Sequence, residues 1–147
     1  MRYNGYSPKA KLINPNACDR LRKWGGTKWN VFQHSILDIP TSSGILNASH
    51  DFVLIKGVLI HINPASLQTV YRNLYDASAK YICVCEYYNP TPVSITYRGH
   101  EDRLFKRDFA GEIMDLYPDL KLVDYGFIWR RDNNFPDDDA NWFLLEK

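Results

Sequence analysis

The stretch DFVLIKGVLIHINP, Asp51–Pro64, decides the fold. Phe52, Val53, Leu54 and Ile55 form an unbroken apolar run of β-branched and aromatic character, the composition of a strand buried on both faces, as in a parallel sheet. The run stops at Lys56-Gly57. Val58-Leu59-Ile60 then carries the chain to His61, and Asn63-Pro64 opens a helix with a capping asparagine before a proline at the first helical position. Ligands of open α/β sheets bind where strands end and their loops begin. Lys56–His61 is therefore the first place to look for function.

Downstream of that stretch, Leu67, Val70, Tyr71, Leu74 and Tyr75 follow the i, i+3, i+4, i+7, i+8 spacing of an amphipathic helix. Tyr81–Cys85 is a second buried strand ending at Glu86. Asn89–Arg103, with Pro90, Pro92 and Gly99, is expected to be a long loop that includes a hairpin at Val93–Tyr97. Loops of about 12 to 15 residues are uncommon in small domains unless they bind something. Asp108 caps a further helix whose buried face is Phe109, Ile113, Met114 and Tyr117. Leu120–Trp129 and Asn141–Leu145 are strands joined by a polar link with no helix between them, which predicts an antiparallel hairpin at a sheet edge. Upstream, Ala10–Ile13 ends a strand, Asn14-Pro15 opens a helix carrying Cys18 and Leu21 on one face, and Trp29–Phe32 is another short strand. Thr41–His50 is a polar connection. Strands alternating with helices predict an α/β fold with a parallel sheet, in a single domain spanning residues 1–147.

Composition narrows the partners. The 147 residues are 45% hydrophobic and 24% charged, with a net charge of +1, which is the profile of a globular chain. No apolar run approaches the roughly 18 residues of a membrane span, and the N-terminus has no signal-peptide pattern, so no membrane association is expected. The head Met1–Trp29 carries seven Lys/Arg against one acid, Asp19. No motif that reads RNA or DNA accompanies that charge, so no nucleic-acid partner is expected. Cys18, Cys83 and Cys85 are an odd count without metal-ligand spacing, which fits reduced, buried thiols and a cytoplasmic location. Asp137-Asp138-Asp139 reads as a solvated turn, and no metal is expected.

Several runs carry a family resemblance: Asp51–Pro64 as quoted; CEYYNPTPVSITYRGHEDRLFKRDFAGE, Cys85–Glu112; DLYPDLKLVDYGFIWRRD, Asp115–Asp132; and NWFLLEK at the end. Together they resemble the pseudaminic acid biosynthesis-associated methylases, within the class I S-adenosylmethionine-dependent methyltransferases. The likeness covers about two thirds of the chain. It implies a Rossmann-like class I methyltransferase sheet, α/β, with the C-terminal antiparallel edge hairpin already expected. It also implies N-terminal truncation, because the first strand and glycine-rich turn of that class have no counterpart before Lys11. The acid that holds the cofactor's ribose falls at Leu12, which has no acceptor. A missing central strand is expected to leave residues 10–32 poorly attached.

The activity so implied is O-methyl transfer from S-adenosylmethionine to a nonulosonic (pseudaminic) acid sugar or a derivative. The resemblance places Asn14 in the turn after the second strand, Ser35 and Ile36 in the adenine-side loop, and Lys56, Gly57 and Val58 in the segment passing under the cofactor. His61 is the candidate base, since imidazole titrates near neutral pH. Glu86, a carboxylate at a strand end, is the other. Tyr88, Asn89, Arg98, His100, Lys106 and Arg107 form a polar, cationic group around the long loop. Within it Arg98 or Arg107 can hold the carboxylate of a sugar acid through paired hydrogen bonds. Two alternatives stay open: a catalytically inactive binding or interaction module, and a half-domain completed by a partner chain or by a second copy in a homo-oligomer.

Overall fold

The computed structural model describes residues 9–12, 15–25, 30–39, 46–48 and 50–147. The chain divides into two compact units, Met1–Ser43 and Gly44–Lys147. In the first, β1 (Lys9–Leu12) and β2 (Asn30–Gln33) pair in parallel, from Lys9 opposite Asn30 to Leu12 opposite Gln33. Parallel neighbours need a crossover, and α1 (Pro15–Gly25) supplies it. Cys18 is its fully buried contact. Arg22 pairs with Asp19 at 3.0 Å and donates to the Val31 carbonyl at 3.3 Å, tying α1 to β2. The expected cap at Asn14, and its expected cofactor contact, lie outside the described residues.

The second unit holds a four-stranded sheet. β3 (His50–Lys56) leads through two short 3₁₀ turns, Leu59–His61 and Pro64–Ser66, into α2 (Leu67–Ala77) and then β4 (Ser78–Glu86). A separate hairpin, β5 (Val93–Tyr97) and β6 (His100–Lys106), precedes α3 (Phe109–Leu116). The last strands are β7 (Lys121–Ile128) and β8 (Ala140–Glu146). The order is β3-β4-β8-β7, with β3 parallel to β4 and the other pairs antiparallel. The expected edge hairpin is thus present, with β8 inserted beside β4 and β7 outermost. Among the described residues no helix is long and apolar enough to cross a membrane.

Two expectations need correction. Residues 89–103 are not one long loop: the chain turns tightly at Arg98-Gly99 (φ +52° and +79°) and continues as β6. Two successive residues in the left-handed region are the geometry of a two-residue hairpin turn. Nor is β3 buried on both faces. Ile55 is 3% exposed, but Phe52 and Leu54 are 45% and 55% exposed. Ile55 lies opposite Val84, and Ile82 opposite Leu145, on the side of the sheet that joins Val70, Tyr71 and Leu74 of α2 and Phe109 and Ile113 of α3 in the core. Alternation along a strand sends Phe52 and Leu54 to the other side.

A polar link joins the two core helices. The Tyr71 hydroxyl donates to Glu112 Oε2 at 2.7 Å, and Arg107 Nε donates to Glu112 Oε1 at 2.7 Å. Burial and the Glu112 carboxylate push the Tyr71 hydroxyl well up from its ordinary value, so it remains a donor. Tyr71→Phe deletes one hydrogen bond to a charged group, and chemical denaturation is expected to show a loss of about 1.5 kcal/mol. An unchanged denaturation midpoint would show that the link adds nothing. Burial likewise raises the Cys83 and Cys85 thiols, keeping them protonated and unreactive.

Candidate functional site at the C-terminal ends of β3 and β4

The parallel strands β3 and β4 end side by side, Lys56 opposite Cys85. Gly57 then turns the chain with φ +63° while its N–H donates to the Cys85 carbonyl at 3.1 Å. A Cβ built on Gly57 meets nothing within 4 Å. The glycine is therefore required by conformation, and the space beside it is open to a ligand. Gly57→Ala is expected to cost about 1 kcal/mol, the strain of a side chain in the left-handed region. Equal stability of the two proteins in urea would contradict this.

Beyond Gly57, the group Val58-Leu59-Ile60 does not extend the strand. It closes into the 3₁₀ turn Leu59–His61, with Leu59 and Ile60 buried. Glu86 at the end of β4 holds that turn: its Oε1 accepts the Val58 N–H at 2.9 Å and the Leu59 N–H at 3.0 Å. The residue is 4% exposed, and among the described residues Oε2 has no hydrogen-bond partner. Burial pushes the carboxyl above its usual range, although the backbone donors and the neighbouring His61 pull against it. The cavity Glu86 lines with Val84, Tyr88, Arg107 and Phe109 measures about 10 Å³. That is room for one water and for no sugar. Glu86 thus stands at the C-terminal end of β4, and its contacts are those of a clamp on the turn that presents His61.

His61 is exposed at the end of the turn. Its Nδ1 lies 2.8 Å from the Arg103 carbonyl oxygen. A carbonyl only accepts, so Nδ1 carries a proton, and in the neutral ring the lone pair lies on Nε2. The ring tilts against Tyr97, with centroids 5.6 Å apart. His61, Tyr97, Arg98, His100 and Arg103 together line an open groove of about 420 Å³. Arg98 lies over the Tyr97 ring at 5.1 Å, a contact that orients the guanidinium.

Of the residues expected from the sequence, the groove gathers His61, Arg98 and His100, and the others serve elsewhere. Arg107 is committed to Glu112. Lys106 lies over the Tyr87 ring at 5.1 Å. Tyr88 makes a bridge to Arg107 and tilts against Phe143. Asn89 donates its backbone N–H to the Arg107 carbonyl at 3.3 Å and its side-chain amide to the Thr91 carbonyl. Lys56 pairs with Asp137, which raises the Lys56 ammonium and lowers the Asp137 carboxyl, while Asp139 accepts from the Arg130 backbone. The acidic run is thereby a latch for the link between β7 and β8. Val58 remains 36% exposed beside Gly57, an apolar surface next to open space. In the first unit, Ser35 and Ile36 lie in a turn in which Ser35 Oγ accepts the Leu37 N–H at 3.2 Å. Arg103 was not singled out from the sequence. The signal that finds it is the register of β6, which the expectation of a loop concealed.

No family model matches this chain, and no curated protein matches it either. Solved structures do match. A Burkholderia thailandensis 1,6-didemethyltoxoflavin-N1-methyltransferase, bound to 1,6-didemethyltoxoflavin and S-adenosylhomocysteine, superposes with a TM-score of 0.70 at 13% identity, over 95% of this chain and 60% of that one. A S-adenosylmethionine-dependent methyltransferase from Methanosarcina mazei gives 0.66 at 10% identity, over 95% and 81%. One from Leishmania major gives 0.68 at 12% identity, over 93% and 54%. The chain thus spans a little over half the length of two of these proteins and about four fifths of the third. At such identities the likeness is one of fold, and the fold is the Rossmann-like α/β fold of the class I S-adenosylmethionine-dependent methyltransferases.

Proposed function

We propose that the chain is a S-adenosylmethionine-dependent methyltransferase acting on a hydroxyl of an acidic sugar, of the nonulosonic (pseudaminic) acid class. The observation that carries this reading is His61, whose Nδ1–H is held by the Arg103 carbonyl so that the basic Nε2 is free in a groove lined by two arginines and a second histidine. When bound, S-adenosylmethionine supplies a methyl carbon made electrophilic by its sulfonium. The residues present fit part of that cofactor: Gly57 leaves open space where a side chain would stand, and Val58 offers exposed apolar surface beside it. The family resemblance alone, and no placement in the structure, makes Ser35 and Ile36 proposed adenine-side contacts. Arg98 would hold the acid group of the acceptor, and His61 Nε2 would take the proton of its hydroxyl as the oxygen bonds the methyl carbon and the methyl C–S bond breaks, its electron pair going to the sulfur of a neutral thioether product; Glu86 keeps His61 in place through the turn. The test is transfer of labelled methyl from S-adenosylmethionine to a nonulosonic acid by the purified chain. Transfer to the acidic sugar and none to its neutral analogue is expected. Equal transfer to both, or none to either, would contradict the reading.

One observation favours a second reading, in which a second copy of the chain completes the sheet. Among the described strands β3 pairs on one side only, with β4, and carries the exposed Phe52 and Leu54. Open edges with apolar side chains invite pairing. Light scattering after size exclusion is expected to show a dimer that Leu54→Lys dissociates. A monomer at every concentration would remove this reading.

A further inference from the structure

We infer that the groove beside His61 is built for a phosphate dianion, so that the acceptor sugar is presented as a phosphate ester rather than as a carboxylate alone. The inference rests on the reading of this groove as the acceptor site. A single carboxylate is satisfied by one guanidinium. Here Arg98, Arg103 and His100 line one groove with His61, and among the described residues no acidic side chain lines it with them. None of the ion pairs among the described residues engages Arg98, Arg103 or His100. Two planar forks and an imidazole offer more donors than a carboxylate can use, and they match the three terminal oxygens of a phosphate ester. A groove of about 420 Å³ also falls within the usual range for small-molecule sites.

The backbone points the same way. Arg98 sits at φ +52° in a two-residue turn whose other member is Gly99 at +79°. Asparagine or glycine would occupy that position with less strain. Strain of this kind persists where the side chain serves a purpose. The side chain lies over Tyr97, which also packs on His61, so the anion site and the proposed base share one aromatic support.

Calorimetry on the full chain tests the inference with inorganic phosphate, a hexose 1-phosphate, adenosine monophosphate and acetate at constant ionic strength. Phosphate is expected to bind saturably and at least tenfold more tightly than acetate. Arg103→Ala, which keeps the carbonyl that holds His61, is expected to lose at least tenfold in phosphate affinity. Arg98→Gly is expected to lose as much while its denaturation midpoint rises, because the strain is relieved. Tighter binding of the hexose 1-phosphate than of the nucleotide assigns the phosphate to the sugar; the reverse order would overturn that assignment and leave a site for a nucleoside monophosphate. Acetate binding as tightly as phosphate, or phosphate affinity unchanged in both variants, would overturn it. Because no cofactor enters these titrations, failure here leaves methyl transfer to a carboxylate sugar intact. Failure of methyl transfer leaves the dianion site intact.

Discussion

His61→Ala is expected to lower methyl transfer about 100- to 10,000-fold, the range that a positioned general base contributes, without unfolding the protein. The side chain is exposed and makes one hydrogen bond, to the Arg103 carbonyl. The turn that carries it is held from the other side, by Glu86 on the Val58 and Leu59 N–H groups. Truncation therefore removes Nε2 together with the exposed Nδ1 bond and the Tyr97 ring contact, and leaves the clamp on the turn in place. His61→Gln is the sharper control, because an amide can donate to the same carbonyl but cannot take a proton. Both variants are expected to keep the wild-type circular dichroism and the wild-type affinity for the acceptor. Turnover within twofold of wild type in either would take the base role from His61.

Glu86→Ala is expected to destabilise the protein by about 3 kcal/mol, because two backbone donors, one of them fully buried, lose their acceptor. For a chain near this size that lowers the melting temperature by roughly 10 °C. Glu86→Gln keeps an acceptor oxygen for the turn and is expected to be the milder change. The pH dependence gives the signature of the carboxyl itself. Its folded value lies above its ordinary one because burial opposes the charge. Between the ordinary and the raised value the folded protein holds a proton that the unfolded chain has released. Stability therefore falls as pH rises through that window and is greatest below it. Melting temperatures across mildly acidic pH are expected to show this slope in the wild type and to lose it in Glu86→Gln. Identical slopes would show that Glu86 is not the titrating group. Turnover falling in proportion to the loss of folded protein would agree with a clamp, whereas loss of turnover in folded Glu86→Gln alone would argue for proton transfer at Glu86.

The succession β3, α2, β4 was legible because its periodicity is strong and Asn63-Pro64 opens the short 3₁₀ turn that leads into α2. The edge hairpin of β7 and β8 followed from two strands with no helix between them. What the sequence concealed has physical causes. An apolar run such as Phe52–Ile55 looks the same whether one face or both are covered, so the exposure of Phe52 and Leu54 could not be read from it. The hairpin expected at Val93–Tyr97 is present as β5, but its second strand, β6, was obscured by an arginine where asparagine usually marks such a turn. Arg103 disappeared from view with it. A glutamate at a strand end is the same residue whether it moves a proton or caps a turn. Only its 4% exposure and its bonds to Val58 and Leu59 separate the two roles. Arg107 likewise reads as a free cation until Glu112 is found 2.7 Å away.

The proposal depends first on the methyl donor, because Leu12 stands where the resemblance expects an acid for the ribose. Calorimetric titration of the full chain with S-adenosylmethionine tests this directly. The methyltransferase reading predicts saturable binding at micromolar concentrations, weakened by Val58→Asp in the wall beside Gly57. No heat at millimolar ligand would contradict it, leaving a chain that has the fold and the acceptor groove but not the donor.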